Sequence, residues 1–242
     1  MNPVIIIPAR YESSRFPGKP LAHLLGKPLV AWVWERCVAA LGPDRVYVAT
    51  DDERIERECL RRGIRVVMTS EDCATGTDRV YEASQKIGAD YYINVQGDEP
   101  LVQPEDVHKV IAFAEKNRGS VVNAMCKIAS EEEFRDPKVP KVVADRTGRL
   151  MYISRAAIPT TKGLAFRSAW KQVCIYGFSP EALAQFGEHR EKSPVEEIED
   201  IEILRFLELG FDVRMTPVSP VEVAVDFPED IAVAERALRR AA

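Results

Sequence analysis

The apolar residues of the chain fall into two kinds of block. Val4-Ile5-Ile6-Ile7, Val46-Tyr47-Val48-Ala49 and the run from Tyr91 to Val95 are short, continuous and rich in β-branched or aromatic residues. That is the make-up of strands buried on both faces. Between them the apolar positions recur at three and four, as at Val107, Val110, Ile111 and Ala114, which share one helical face. In order, the pattern predicts strands at 4–7, 45–50, 65–68 and 91–95. It predicts helices at 28–40, 53–62, from the polar loop 69–79 to about 87, and at 104–117. Gly42-Pro43 and Gly63 stop the first two helices, and Asp51-Asp52 caps the second, where the helix dipole favours acids. Strand alternating with helix predicts a parallel sheet.

Past residue 120 the alternation fails. A strand at 120–127 precedes two strands, 138–145 and 150–154, that read as a hairpin turned at Thr147-Gly148. The stretch 160–169 is irregular and basic at Lys162 and Arg167; a loop near a ligand and a solvated surface loop describe it equally well. A strand at 171–178, helices at 180–186 and 195–209, a strand at 212–217, an apolar run at 221–225 and a last helix to 240 complete the chain. On the 195–209 helix, Glu199, Glu202 and Arg205 are three apart and line one face, which solvation alone would explain. No repeat or linker appears. We expect one domain over 1–242, with about 120–190 adding substrate-side and dimer elements to the core.

Composition narrows the functions. A formal charge of −5 argues against a general nucleic-acid or anionic-membrane binder, which needs a basic face. The 5 cysteines, Cys37, Cys59, Cys73, Cys126 and Cys174, form no C-x-x-C pair, and with 3 histidines give no zinc spacing. They read as reduced thiols. The first apolar run is too short for a signal peptide or a membrane span, so a cytoplasmic protein without membrane insertion is expected.

Against that acidic background one loop is cationic. Arg10, Arg15 and Lys19, with Ser13, Ser14 and Gly18 among them, directly follow the first strand. The carboxyl ends of strands are where open α/β sheets bind ligands, and fixed cations with free backbone N–H groups suit a polyphosphate. The loop is neither a Walker A nor a G-x-G-x-x-G motif. The 91–95 strand ends in Gln96-Gly97-Asp98-Glu99-Pro100, hard oxygen donors that suit Mg²⁺ or, alternatively, cap the helix beginning near 104. Thr75-Gly76-Thr77 brings backbone close to a ligand or simply caps a helix. Asp226, before the last helix, has N-capping as its alternative.

The run IPARYESSRFPGKPL at 7–21 resembles the signature loop of the sugar nucleotidyltransferases, most closely that of the 3-deoxy-manno-octulosonate (Kdo) cytidylyltransferase family. NVQGDEP at 94–100, PKVPKVVAD at 137–145, SRAAIP at 154–159 and VDFPED at 225–230 extend the likeness over nearly the whole chain. The resemblance implies a Rossmann-like three-layer α/β sandwich of nucleotide-diphospho-sugar transferase type, with a mostly parallel central sheet. It implies transfer of CMP from CTP to Kdo, with release of pyrophosphate, for lipopolysaccharide or other surface glycan. It implies a Mg²⁺ cofactor, CTP and an acid sugar as partners, and a homodimer. By its motifs, Arg10, Lys19 and Asp98 are catalytic, and Ala9, Arg10, Arg15, Lys19, Thr75 and Gly76 bind nucleotide. Arg79, Gln96, Arg155, Tyr176, Glu199 and Glu202 face the sugar, and Asp98 and Asp226 hold metal. The chain departs from the family pattern at Gln172 (usually His), Cys174 (usually Gly), Ile203 and Phe227, all expected at the sugar end. The sugar is therefore open between Kdo, an amino-modified octulosonate and another 3-deoxy-ulosonic acid. A non-catalytic nucleotide-binding homologue is the alternative of another class, opposed by the retained Asp98 and Asp226.

Overall fold

The structure is a computed structural model that describes residues 1–13, 15–220 and 224–241. Ser14 of the cationic loop and Val221, Glu222 and Val223 of the apolar run lie outside the described residues.

The first strand, β1 (Pro3–Pro8), is buried along its whole length. Two hairpin strands, β2 (His23–Leu24) and β3 (Lys27–Pro28), lead into α1 (Leu29–Leu41). Then come β4 (Val46–Thr50), α2 (Glu53–Arg61), β5 (Arg65–Met68), α3 (Gly76–Ser84), β6 (Tyr91–Val95) and α4 (Pro104–Lys116). β1 runs parallel to β4 on one side and to β6 on the other, and β5 lies parallel outside β4. This is the expected parallel half. Complete burial of side chains such as Ile5, Ile6 and Ile7 contributes about 1.5–3 kcal/mol each. It requires helices on both faces.

The second half is mixed. It contains β7 (Val121–Lys127), α5 (Glu131–Arg135), β8 (Lys141–Ala144), β9 (Leu150–Ser154) and β10 (Trp170–Phe178). α6 (Pro180–Glu188), α7 (Pro194–Glu199), α8 (Ile203–Glu208), β11 (Val213–Pro217) and α9 (Asp230–Ala241) follow. β10 inserts antiparallel between β6 and β7, and β11 lies parallel to β7, in a sheet ordered β11-β7-β10-β6-β1-β4-β5 among the described residues. The hairpin β8–β9 joins through β8 to the start of β10, and its turn uses Gly148 at φ +83°. One core lies under α1, α2 and α4, the other under α3, α6 and α8. A smaller one joins α9 to Leu24 and Leu29. The expected three-layer α/β sandwich is what forms.

One element differs in a way that matters. The expected helix 195–209 is two helices, α7 and α8, separated at Asp200, whose φ of 50° is left-handed. Asp is one of the few non-glycine residues that visit this region at modest cost. The break ends the shared face. Glu199 turns to β9, Glu202 turns to the first turn of α3 and Arg205 is buried.

Candidate active site

β1 and β6 are neighbours, so the loops leaving their carboxyl ends rise side by side. Their approach depends on Gly97, because a Cβ there would stand 2.7 Å from the Pro8 carbonyl oxygen. The cationic loop folds back on itself, with Gly18 N donating to Tyr11 O at 2.8 Å, and a single 3₁₀ turn carries Lys19 inward. Lys19 Nζ donates to Asp98 Oδ2 at 2.8 Å and lies 3.7 Å from Asp226 Oδ1. Arg15 reaches the same Asp226 oxygen at 3.1 Å. Val225 N donates to the Asp98 carbonyl at 2.9 Å, which ties the segment before α9 to the β6 loop. Asp226 is not the N-cap. Asp230 accepts from the backbone N of Asp226 and of Phe227, both at 2.8 Å, and leaves the Asp226 carboxylate to the cations.

Glu99 completes the electrostatics. Burial first, and the neighbouring Asp98 second, push its carboxyl up to about 8. Its Oε2 has no hydrogen-bond partner among the described residues. Its charged form is thus disfavoured, and Asp98 and Asp226 are the carboxylates that pair with Arg15 and Lys19.

Above this cluster a cleft is lined by Ala9, Arg10, Arg15, Lys19, Thr75, Gly76, Arg79, Gln96, Asp98 and Glu202. All six expected nucleotide-binding residues border it. Thr75 does cap α3: its hydroxyl accepts from Asp78 N at 3.2 Å while Asp78 accepts from Thr75 N at 2.9 Å. Gly76 lies close to the Gln96 amide: a Cβ there would stand 2.8 Å from Gln96 Nε2, a contact that the flexible Gln96 side chain can relieve by shifting. Arg79 borders the cleft but is 2% exposed and committed, donating to Asp51 at 2.8 Å and to the Thr69 hydroxyl at 2.5 Å. Asp52 alone caps α2; Asp51 instead holds Arg79 and accepts from Tyr11 N.

A second cavity shares Arg15, Gln96, Asp98 and Glu202 with the first and extends past Glu99, Glu133, Lys138, Arg155, Lys171, Gln172, Cys174, Tyr176, Asp226 and Phe227. Arg155 borders it while fastening the hairpin to α7, donating to the backbone oxygens of Glu199, Pro137 and Asp200. Glu199 borders neither cavity. Ending α7, it accepts from the Ser154 hydroxyl at 2.5 Å, Arg155 N at 2.8 Å and the Tyr152 hydroxyl at 3.3 Å. Burial opposes its charge, but those donors hold its carboxyl below the usual glutamate range. Of the departures from the family pattern, Gln172, Cys174 and Phe227 do line the second cavity. Gln172 donates to Asn123 Oδ1 at 2.9 Å, Arg15 and Lys138 flank the Phe227 ring, and burial holds the Cys174 thiol well above its usual range. Ile203 is 1% exposed inside the α3–α6–α8 core, so that departure belongs to packing and not to the sugar end. Sequence reasoning passed over Lys138 and Lys171, cations of this cavity; Lys138 lies in the PKVPKVVAD stretch, which carried the signal.

Among the described residues no three His, Cys, Asp or Glu side chains gather in a metal-holding group. Two hard carboxylates nevertheless converge on one cation, the Lys19 ammonium. Mg²⁺ characteristically takes one or two carboxylates and completes its shell with substrate phosphates and water. The donor set fits it on those terms.

Cations and carboxylates converge over the carboxyl ends of the sheet beside a cleft, an arrangement that suits a polyphosphate ligand. The chain belongs to the cytidylyltransferase family, whose profile matches residues 4–215. It is 40% identical to the 3-deoxy-manno-octulosonate cytidylyltransferase of Syntrophotalea carbinolica, with 99% of each chain covered. It is 39% identical to the 8-amino-3,8-dideoxy-manno-octulosonate cytidylyltransferase of Shewanella pealeana, over 98% of this chain and 99% of that one. A solved structure of CMP:2-keto-3-deoxy-manno-octonic acid synthetase complexed with CTP superposes with a TM-score of 0.93 at 34% identity, over 100% of both chains.

Proposed function

We propose that the protein transfers CMP from CTP to the anomeric hydroxyl of a 3-deoxy-ulosonic acid, in the first instance Kdo, and releases pyrophosphate. The observation that carries this reading is the Lys19 ammonium held between Asp98 and Asp226, with Arg15 beside them. Arg10, Arg15 and Lys19 bind the triphosphate and stabilise charge growing on the leaving pyrophosphate. The Thr75–Gly76 turn receives the cytidine, and the second cavity holds the sugar with its anomeric oxygen toward the α-phosphorus. The hydroxyl oxygen attacks phosphorus in line and gives its proton to water, the bond to the bridging oxygen breaks, and pyrophosphate leaves with that electron pair. The chain's part is to position the groups and supply preorganised charge. Asp98 and Asp226 would hold Mg²⁺, which supplies phosphate charge neutralisation and lowers the pKa of a coordinated hydroxyl. Pyrophosphate release with each of four nucleoside triphosphates and a panel of acid sugars tests the reading. CTP with Kdo should be among the productive pairs, and release from no pair would favour a non-catalytic nucleotide binder.

A second reading, an 8-amino sugar, is favoured by the excess of acids over cations lining the second cavity, although Glu133 already pairs with Lys171 and Asp200 with Lys192. An ammonium on the sugar would suit that excess. The ratio of kcat/KM for the amino and hydroxy sugars separates the two.

The dimer rests on β9, whose only strand partner in the described sheet is β8. Met151 and Tyr152 on it are exposed at 62% and 38%, beside a groove lined by Leu150, Leu207 and Phe211. An open apolar strand edge invites a second copy. Sedimentation should give twice the chain mass, and a monomer at micromolar concentration would remove the dimer. No helix among the described residues is long and apolar enough to cross a membrane. We place the activity in the cytoplasm, where its nucleotide-activated sugar would feed a glycan-assembling transferase.

A further inference from the structure

Glu202 stands on the wall shared by the two cavities. Both its oxygens are committed on the nucleotide side. Oε1 accepts from Gly76 N at 3.0 Å, and Oε2 from Thr77 N at 2.9 Å and from the Thr77 hydroxyl. These donors belong to the first turn of α3, beside the Thr75 and Gly76 that line the nucleotide cleft. A second link runs in parallel. Arg205 on α8 donates to Asp78 Oδ1 at 2.9 Å and to Glu196 Oε2 at 2.6 Å, and Asp78 is the carboxylate that accepts from Thr75 N. The α7–α8 pair thus grips the turn at Gly76 and Thr77 through Glu202, and at Asp78 through Arg205. Burial lifts the Glu202 carboxyl above the ordinary glutamate range, and the Thr77 and Gly76 donors oppose that shift. Its ionised form depends on keeping them.

We propose that Glu202 is a positioning residue for the nucleotide and not a contact for the sugar: its carboxylate fixes the Thr75–Gly76–Thr77 backbone at the height where the nucleoside docks. This rests on CTP being the nucleotide substrate. It makes α7–α8 part of the nucleotide site, although its neighbour Glu199 is tied to the hairpin.

CTP binding with Mg²⁺ and no sugar, read by titration calorimetry, tests it together with steady-state kinetics. Glu202→Gln replaces one acceptor oxygen by an NH₂ group that faces an N–H donor. The expected result is a Kd for CTP raised about tenfold or more, as loss of charge-assisted hydrogen bonds implies, with the KM for CTP rising alike and the KM for the sugar within about twofold. Thr77→Val should give a smaller loss of the same kind. Because the two share one interaction, the double variant should lose less than the product of the singles. An unchanged Kd for CTP with a raised KM for the sugar overturns the proposal, as do independent effects of the two substitutions. If Glu202→Gln does not fold, Thr77→Val decides, and an unchanged Kd there overturns it. Wild-type protein that binds no CTP would defeat the activity reading itself. Wild-type binding matched by Glu202→Gln would defeat this proposal alone.

Discussion

Lys19 has two tasks for one ammonium. It pairs with Asp98 and Asp226, and in the proposed reaction it would turn to the phosphate oxygens of the triphosphate. Lys19→Met keeps the aliphatic stem and removes only the charge. Loss of a transition-state charge contact of this kind costs about 10²–10³ in kcat. Far-ultraviolet circular dichroism should be unchanged, since the backbone hydrogen bonds that fold the loop, such as Gly18 N to Tyr11 O, do not involve the ammonium. Glu199 makes a different kind of prediction. Its folded-state pKa lies below the usual glutamate value of 4.5, so the stability it contributes is fully present above that value and is lost as pH falls through the depressed pKa. Urea melts of wild type and Glu199→Gln across pH 3–7 should differ by a constant amount above about pH 5 and converge below it. A gap that persists at the acid end would mean that the Ser154 and Arg155 hydrogen bonds do not depend on the charge.

At the scale of elements, the site exists because two loops touch and one helix is broken. Gly97→Ala places a methyl group against the Pro8 carbonyl, a backbone atom that cannot swing aside. Overpacking of this sort costs about 1–3 kcal/mol. Denaturant melts should show that loss, with reduced turnover as Asp98 moves off Lys19; wild-type stability would mean the loops part freely. The break at Asp200 was not legible in the sequence, because Ile201, Ile203 and Leu204 continue a helical rhythm and a single left-handed residue leaves no trace in spacing. Its consequence is the burial of Arg205 between Asp78 and Glu196. Arg205→Met should cost about 3–5 kcal/mol in chemical denaturation, since it strands buried carboxylates.

Across the whole molecule the parallel half was readable because buried strands announce themselves as apolar runs and their helices by three-and-four spacing. The buried Tyr91–Val95 begins and ends where the pattern set it, and so does the partly exposed edge strand Arg65–Met68. The antiparallel insertion of β10 was not readable, since strand direction and neighbours arise from long-range pairing, here between Tyr176 and Asn94. The site divides the same way. Arg10 and Asp98 closely follow strand ends, and Lys19 shares the loop that Arg10 opens, so position along the chain gave position in space. Arg79, Glu199 and Glu202 reach their partners across 28, 45 and 126 residues, and only the folded chain reveals that these are protein groups.

The most direct measurement is pyrophosphate release from CTP and Kdo, followed against Mg²⁺ concentration, for wild type, Asp98→Ala and Asp226→Ala. The wild type should be inactive without the metal and saturate with it. Each variant should stay folded and fall by a factor on the order of 10³ or more at every Mg²⁺ concentration, as expected when a metal that stabilises the transferring phosphoryl group loses its carboxylate. Near-normal turnover in either variant, or full wild-type activity with the metal chelated, would contradict a shared triphosphate and magnesium site at Asp98 and Asp226.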